Sequence, residues 1–251
     1  MPWLWDGGGT FTDWYPWKTP VSGKHQSKKR AVDSNVRKAR VPAYSEYIRH
    51  DPFRVVRDFE RALCEYTGAP YCVTVTSCTM ALLLACAWHK VQLVSIPKRT
   101  YCSVPMSIIH AGGQVEFRDE KWSGEYQLKP YPIWDAARRF TSGMYRRGAM
   151  QCLSFHWSKI LGIQQGGAIL HDDQAADRWL RKARFDGRSE GAHPRDDEFI
   201  LGWHAYMSPE IAAEGLVRLS WLPRHNPDLP NSDYPDLSEV EIFKCRNLEK
   251  A

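Results

Sequence analysis

The run Ser154-Phe155-His156-Trp157-Ser158-Lys159-Ile160-Leu161-Gly162 places a small hydroxyl side chain ahead of a lysine, and the lysine stands at the edge of a glycine-bearing turn. Gly166-Gly167-Ala168-Ile169-Leu170 comes next, where an apolar run resumes. Upstream, Ile133-Trp134-Asp135-Ala136-Ala137 reads as an apolar strand that ends in a carboxylate. An amine able to form a Schiff base, together with a carboxylate for a pyridinium nitrogen, is the minimal kit for pyridoxal 5'-phosphate (PLP) chemistry. Lys159 would need desolvation or neighbouring positive charge to act as a nucleophile at neutral pH. Asp135 sits at the carboxyl end of a strand, where open α/β sheets gather ligands. By charge pairing it would keep a ring nitrogen protonated.

Two further features fit the same chemistry. Ser77-Cys78-Thr79 opens a helix after a strand, and a helix N-terminus offers free N–H groups and partial positive charge to a phosphate. Tyr101 lies just past a strand end, where an aromatic ring could stack on a flat cofactor. Each feature taken singly has a plainer reading. Ser and Thr are ordinary helix caps, an aspartate at a strand end is a turn former, and a lysine is surface charge. The order of the four features, each near a strand end, is what favours the chemical reading.

The elements that must position them alternate. A helix begins near Pro52 with Val55-Val56-Phe59-Leu63 on one face and stops at Thr67-Gly68. Strands are expected at 71–75, 91–96, 115–117, 131–134, 151–155 and 168–170, and helices at 80–88, 104–110, 172–184 and 209–219. This alternation predicts an α/β fold with a mostly parallel sheet. We divide the chain into a Trp-rich and basic N-terminal arm (1–45), a PLP-binding α/β domain (46–222) and a proline- and acid-rich C-terminal tail (223–251), expected to be extended.

Composition narrows the class. Of 251 residues 43% are apolar, which suits a globular protein. No apolar run approaches the ~18 residues of a membrane span, so no membrane partner is expected. The N-terminus lacks the basic and apolar regions of a secretory signal. Seven cysteines without zinc spacing suggest reduced thiols, a cytoplasmic location and no metal. The net charge of +5 is compatible with anionic substrates. The basic run Lys24–Arg40, near several tryptophans, is either a solvated arm packed on a partner subunit or a contact for nucleic acid or nucleotides.

These motifs resemble those of the DegT-type sugar aminotransferases, fold-type-I PLP-dependent enzymes. Thr76-Ser77-Cys78-Thr79-Met80-Ala81-Leu82 is similar to that family's Ser-Ser-Gly-Thr-Ala-Ala-Leu phosphate loop. Ile96-Pro97 through Thr100-Tyr101 is similar to its Val-Pro-x-x-Thr-Phe segment. Ile133 through Ala137 resembles Ile-Glu-Asp-Ala-Ala, and Ser154 through Gly162 resembles Ser-Phe-x-x-x-Lys-x-Leu-Gly. Gly202-Trp203-His204-Ala205-Tyr206-Met207-Ser208 resembles Gly-Tyr-Asn-x-Arg-Met-Ser. The likeness spans about residues 52–222. It implies a fold-type-I large domain of about seven strands, or one fewer, and a homodimer with shared active sites. It also implies a small amine or amino-acid substrate.

By that resemblance Lys159 and Asp135 are catalytic. Ser77, Cys78, Thr79, Tyr101, Ser154 and His204 join them in holding the cofactor. Arg138 and Tyr206 are candidates for substrate contact. The chain departs from the family at Cys78 (glycine there), Arg138 (glutamine), His204 (asparagine) and Tyr206 (arginine). It also runs directly from Tyr126-Gln127-Leu128 to Tyr131, where members carry a further strand and helix, and leaves no room after residue 222 for the C-terminal small domain. The leading expectation is an aminotransferase. One alternative is a PLP-dependent decarboxylase or lyase acting on an amino acid attached to a phage-type modified DNA base, in a bacterial host. The other is a non-catalytic relative.

Overall fold

The computed structural model describes residues 51–191, 195, 198–230 and 233–244. The arm 1–45, including Lys24–Arg40, lies outside the described residues. Helix α1 (Arg54–Thr67) turns Val55, Val56, Phe59 and Leu63 inward and ends at Gly68, whose left-handed φ of 81° lets its N–H reach the Cys64 carbonyl. Strand β1 (Tyr71–Val75) leads into helix α2 (Cys78–Trp88), capped where the Ser77 hydroxyl accepts from the Met80 N–H. Next come β2 (Leu93–Pro97), α3 (Ser103–His110), β3 (Gln114–Arg118), β4 (Tyr126–Leu128), β5 (Ile133–Asp135), β6 (Met150–Ser154) and β7 (Gly167–His171). Helices α4 (Gln174–Arg184) and α5 (Pro209–Trp221) complete the α/β core. Asp173 caps α4, and Pro209 opens α5.

Strand alternation sorts the core into two layers around the sheet. Val73, Val75, Met150, Cys152 and Ile169 face the cluster that includes the apolar helix α2 and Leu180 of α4. Cys72, Leu153, Ala168 and Leu170 face the other cluster, built from α1 and from Ala212 and Leu219 of α5. α1 and α5 approach closely because residue 215 is glycine; a Cβ there would lie 2.5 Å from the Phe59 ring.

The sheet runs β1-β7-β6-β5-β4, and a second ladder pairs β2 with β3. Two hydrogen bonds between Ser95 and Lys129, at 2.8 and 3.1 Å, connect β2 to the end of β4. The ladders are mixed: β5–β6 and β2–β3 are parallel, while β1–β7, β6–β7 and β4–β5 are antiparallel. The expectation of a mostly parallel sheet therefore holds for strand direction and fails for pairing. β1, β2, β3, β5 and β6 all point one way, and the two reversed strands β4 and β7 are interleaved among them.

The reversal of β4 has a simple cause. Parallel neighbours need a crossover of roughly a dozen residues or more, whereas antiparallel neighbours can be joined by a tight turn. Only residues 129–132 separate Leu128 from Ile133. β4 must double back on β5, with Tyr126 opposite Asp135.

The C-terminal segment is not simply an extended tail. It forms a 3-10 turn at Leu237–Glu239 and a short helix α6 (Glu241–Lys244), and it buries Leu237 and Phe243. The Phe243 ring meets Phe117 edge-on at 5.9 Å, and the Leu237 N–H bonds the Lys98 carbonyl at 2.8 Å. Apolar burial against β2 and β3 holds a segment whose composition alone suggested a loose end.

Candidate active site

The carboxyl ends of β1, β5 and β6 open on one cavity of about 380 Å³, within the range of small-molecule pockets. Eight of the ten residues expected at a site line it: Ser77, Cys78, Thr79, Tyr101, Asp135, Arg138, Ser154 and Lys159. Asp135 ends β5 and is 5% exposed. Its Oδ1 accepts from the Ala137 N–H at 3.0 Å, and its Oδ2 accepts from the Tyr126 hydroxyl at 2.9 Å. Burial pushes the Asp135 carboxyl above the usual range. The Ala137 and Tyr126 hydrogen bonds, and the charges of Lys159 and Arg138, pull it back only in part. Such a carboxylate has room for one more cationic partner.

Lys159 lies in the loop between the antiparallel strands β6 and β7. The loop is closed by Phe155 N–H to Gly166 carbonyl at 2.9 Å and by Lys159 N–H to His156 carbonyl at 2.8 Å. Gly162 holds the turn at φ 58°. Lys159 Nζ makes no hydrogen bond or ion pair with the described residues. Cys78 stands under Asp135, with Sγ 4.0 Å from Oδ1. Burial, then the Asp135 charge, pushes its thiol well up, so it stays protonated.

Hydroxyls gather at the start of α2. Ser77 Oγ accepts the capping N–H of Met80 at 3.2 Å, which leaves its own proton free to donate. Thr79 and Ser103 share a hydrogen bond of 2.8 Å, so one of the two also keeps a free proton. Ser154 Oγ has no partner among the described residues. The Gly-Gly pair has a steric reason: a Cβ on Gly167 would stand 2.5 Å from the Ser77 carbonyl carbon and 2.6 Å from the Cys78 nitrogen. Only glycine lets β7 come that close to the N-terminus of α2.

His204 and Tyr206 are not brought to this cavity. The backbone around them runs beside the end of α4, with Ala205 N–H on the Arg184 carbonyl at 2.9 Å. His204 is therefore turned to solvent, its Nδ1 3.1 Å from Asp186. Tyr206 packs among Phe53, Phe185 and His204.

The cavity also has lining residues that the motifs did not single out: Thr100, Ser103, Trp122, His156, Ser158, Gln165 and Tyr234. Thr100 lay inside a quoted motif, and Ser103 could have been found as a second hydroxyl at a helix start. Tyr234, in the C-terminal segment, carries no local signal. Behind the cavity, Thr100 Oγ1 and the Tyr126 hydroxyl are 2.6 Å apart and extend the support of Asp135. Among the described residues no helix is long and apolar enough to cross a membrane.

The donor set fits PLP: a cluster of free hydroxyl protons at a helix N-terminus for phosphate, a buried carboxylate short of a cation for a ring nitrogen, and an unpaired lysine on the same cavity. Comparison with known proteins agrees. The sequence profile of the DegT/DnrJ/EryC1/StrS aminotransferase family matches residues 37–144 and 133–228. A UDP-4-amino-4,6-dideoxy-N-acetyl-beta-L-altrosamine transaminase from Campylobacter jejuni is 24% identical over 217 aligned residues, covering 68% of this chain and 57% of that protein. The sugar aminotransferase CalS13 from Micromonospora echinospora superposes with a TM-score of 0.58 at 19% identity, covering 75% of this chain and 66% of its own. PseC from Helicobacter pylori, an aminotransferase involved in pseudoaminic acid biosynthesis, gives 0.56 at 16% identity, with 66% and 57% covered. The chain thus spans a little over half the length of the curated relative.

Proposed function

The chain belongs to the DegT/DnrJ/EryC1/StrS aminotransferase family, and on that premise we propose that it is a PLP-dependent aminotransferase working at the cavity around Lys159. The observation that carries the proposal is the convergence of Asp135, Lys159 and the Ser77, Thr79 and Ser154 hydroxyls on one cavity. When bound, PLP supplies an aldehyde that exchanges its oxygen for a donor's amino group, and a ring that draws electrons from the neighbouring carbon.

The residues divide the remaining work. Ser77, Thr79 and Ser154, with the N-terminus of α2, would hold the phosphate. Asp135 would hold a proton on the ring nitrogen, and Tyr126 keeps its carboxylate oriented. Tyr101, 56% exposed at the mouth of the cavity, would cover one ring face. Lys159 Nζ would anchor the cofactor by its amine, and the same amine, from its place on the cavity, would serve as the base and acid that moves a proton at the reacting carbon. Cys78, held protonated, puts no second negative charge beside Asp135.

The relatives' names point to a keto sugar as amino acceptor. A homodimer is part of the proposal. Exposed Trp157 and Tyr101 near the cavity mouth favour a covering subunit, and His204, solvent-exposed outside its own cavity, would exchange its Asp186 contact for one in a partner's. The comparisons favour transamination and lend no support to the decarboxylase or lyase reading or to a non-catalytic relative.

The test is an absorbance titration of the full chain with PLP, then borohydride reduction and peptide mass mapping. A yellow species fixed by borohydride on Lys159, absent in Lys159→Ala, supports the proposal. A wild-type protein that stays colourless at saturating PLP, or is fixed at another lysine, overturns it.

A further inference from the structure

Among the described residues Arg138 is the only arginine lining the cavity, and its backbone is held on both sides. Its N–H donates to the Gly124 carbonyl at 3.2 Å, and its own carbonyl accepts from Leu229 N–H at 2.9 Å. The side chain is left short of partners. Nε is buried without a hydrogen-bond acceptor. Nη1 has one long contact, 3.3 Å to the Tyr234 hydroxyl, and the guanidinium carbon sits 5.9 Å from the centre of that ring. No carboxylate pairs with Arg138 among the described residues, and nearby Asp135 already takes the Ala137 N–H and the Tyr126 hydroxyl. The adjacent Arg139 is the opposite case, forked on Asp228 at 2.9 and 2.6 Å and bonded to Glu125 at 2.5 Å.

Tyr234 is placed by its own contacts: its carbonyl accepts from Arg99 Nη1 at 3.3 Å, and its ring stacks on Trp122 at 6.4 Å. Asp228 is pinned by Arg139 on one side of it, and Asp236 pairs with Lys98 at 3.2 Å on the other. Asp228 fits only because residue 124 is glycine, where a Cβ would fall 2.2 Å from its Oδ2. Tyr234 is thereby set against Nη1 of Arg138. Nε and Nη2, two parallel N–H groups on one edge, have no acceptor among the described residues, and Arg138 lines the cavity. A planar two-oxygen anion matches that edge, and a carboxylate is such a group.

We propose that Arg138, braced by Tyr234, is the subsite for the carboxylate of an α-amino acid, the amino donor of the reaction. The inference rests on the aminotransferase reading and names its donor class. The donor gives up its amino group and leaves as the 2-oxo acid, so the same carboxylate is held before and after. An amine without a carboxylate would lack this anchor.

The test uses the full chain. L-Alanine, L-glutamate and L-glutamine, with ethylamine as the carboxylate-free control, are titrated against the absorbance of the PLP-loaded protein. The same compounds are titrated calorimetrically into protein without added PLP. Expected is saturable binding of at least one amino acid, weakened about 30-fold or more by Arg138→Gln, partly restored in Arg138→Lys and moderately weakened in Tyr234→Phe. The preference for amino acids over ethylamine should collapse in Arg138→Gln. Arg138-dependent amino-acid binding in a protein that takes up no PLP would keep the subsite and sink the cofactor reading. Equal amino-acid affinity in wild type and Arg138→Gln, or no amino-acid binding in either format, overturns the subsite. So does inorganic phosphate binding at Arg138 in preference to every amino acid, which would make it a phosphate contact.

Discussion

Tyr126→Phe isolates the most unusual support in the site. The substitution keeps the ring, 2% exposed in the core, and removes only the hydroxyl that lies 2.6 Å from Thr100 Oγ1 and donates to Asp135 at 2.9 Å. A hydrogen bond to a buried charged group contributes about 1.5–3 kcal/mol. The direction is set by what stabilises the ionised carboxylate. Burial already pushes Asp135 up, and the hydroxyl is one of four influences that pull it down. Without it the carboxyl rises further. PLP capture needs Asp135 ionised opposite the ring nitrogen, so affinity is lost as pH falls through the carboxyl's titration. In the variant that loss begins at higher pH.

At a pH on the acid limb the deficit of about 1.5–3 kcal/mol corresponds to roughly 10- to 100-fold weaker binding. On the plateau above both titrations, where Asp135 has lost its proton in either protein, affinity should match. The assay is PLP titration by absorbance at a series of pH values, with thermal unfolding of the same samples to show that both are folded. An acid limb that stays in place in a folded variant would refute the argument that Tyr126 sets the charge state of Asp135.

The same geometry carries other expectations. Glu60 is buried between α1 and β1; burial opposes its charge, but Arg184, Arg181 and the Thr74 N–H outweigh it and bring its carboxyl from 4.5 down to about 2. A depressed carboxyl stabilises the fold above its unfolded value and loses that as pH falls toward its folded one, so about 3 kcal/mol should disappear between about pH 5 and 2. In Glu60→Gln that stabilisation should already be missing at pH 7, visible as a lower urea midpoint with a flatter acid dependence. Gly167→Ala should push β7 away from the start of α2, because the new Cβ meets backbone atoms 2.5–2.7 Å away. The expected result is PLP affinity weakened by about tenfold or more, with a lowered melting temperature. Among the described cysteines, exposed Cys102 should react first with a thiol reagent in the native protein, whereas Cys78, whose thiol burial pushes well up, should react far more slowly until the protein unfolds. Peptide mapping after brief labelling would show the order.

Ser77, Asp135 and Lys159 were legible as candidates because each stands where a strand hands over to a helix or loop, and those junctions are marked by local chemistry. Ser77 precedes an apolar helix, Asp135 ends an apolar triplet, and Lys159 falls between two apolar runs with Gly162 and Gly166-Gly167 behind it. Strand direction and contacts made across long stretches of chain are not carried by these local signals. His204 occupies a family-like position in the sequence, yet its side chain bonds Asp186, because the segment is laid along α4. Tyr234 reaches Arg138 from 96 residues away, in a segment where Asp236 pairs with Lys98 and Asp228 with Arg139, contacts that no local pattern announces.

The strand at 126–128 was not among those expected from the sequence, but once it is in place its direction follows from length alone. Four residues between β4 and β5 cannot make a parallel crossover, so the strand that lies beside β5 must run against it. Side-chain alternation then fixes which residue of β4 stands opposite Asp135, and that residue is Tyr126. A phenol placed there brings a donor against a carboxylate that burial would otherwise tend to neutralise. The short link therefore reaches the chemistry through two steps, the reversal of one strand and the pairing it imposes. A site built this way depends on register: sliding β4 by one residue would put Gln127 or Glu125 opposite Asp135 and turn the phenol to the other face of the sheet.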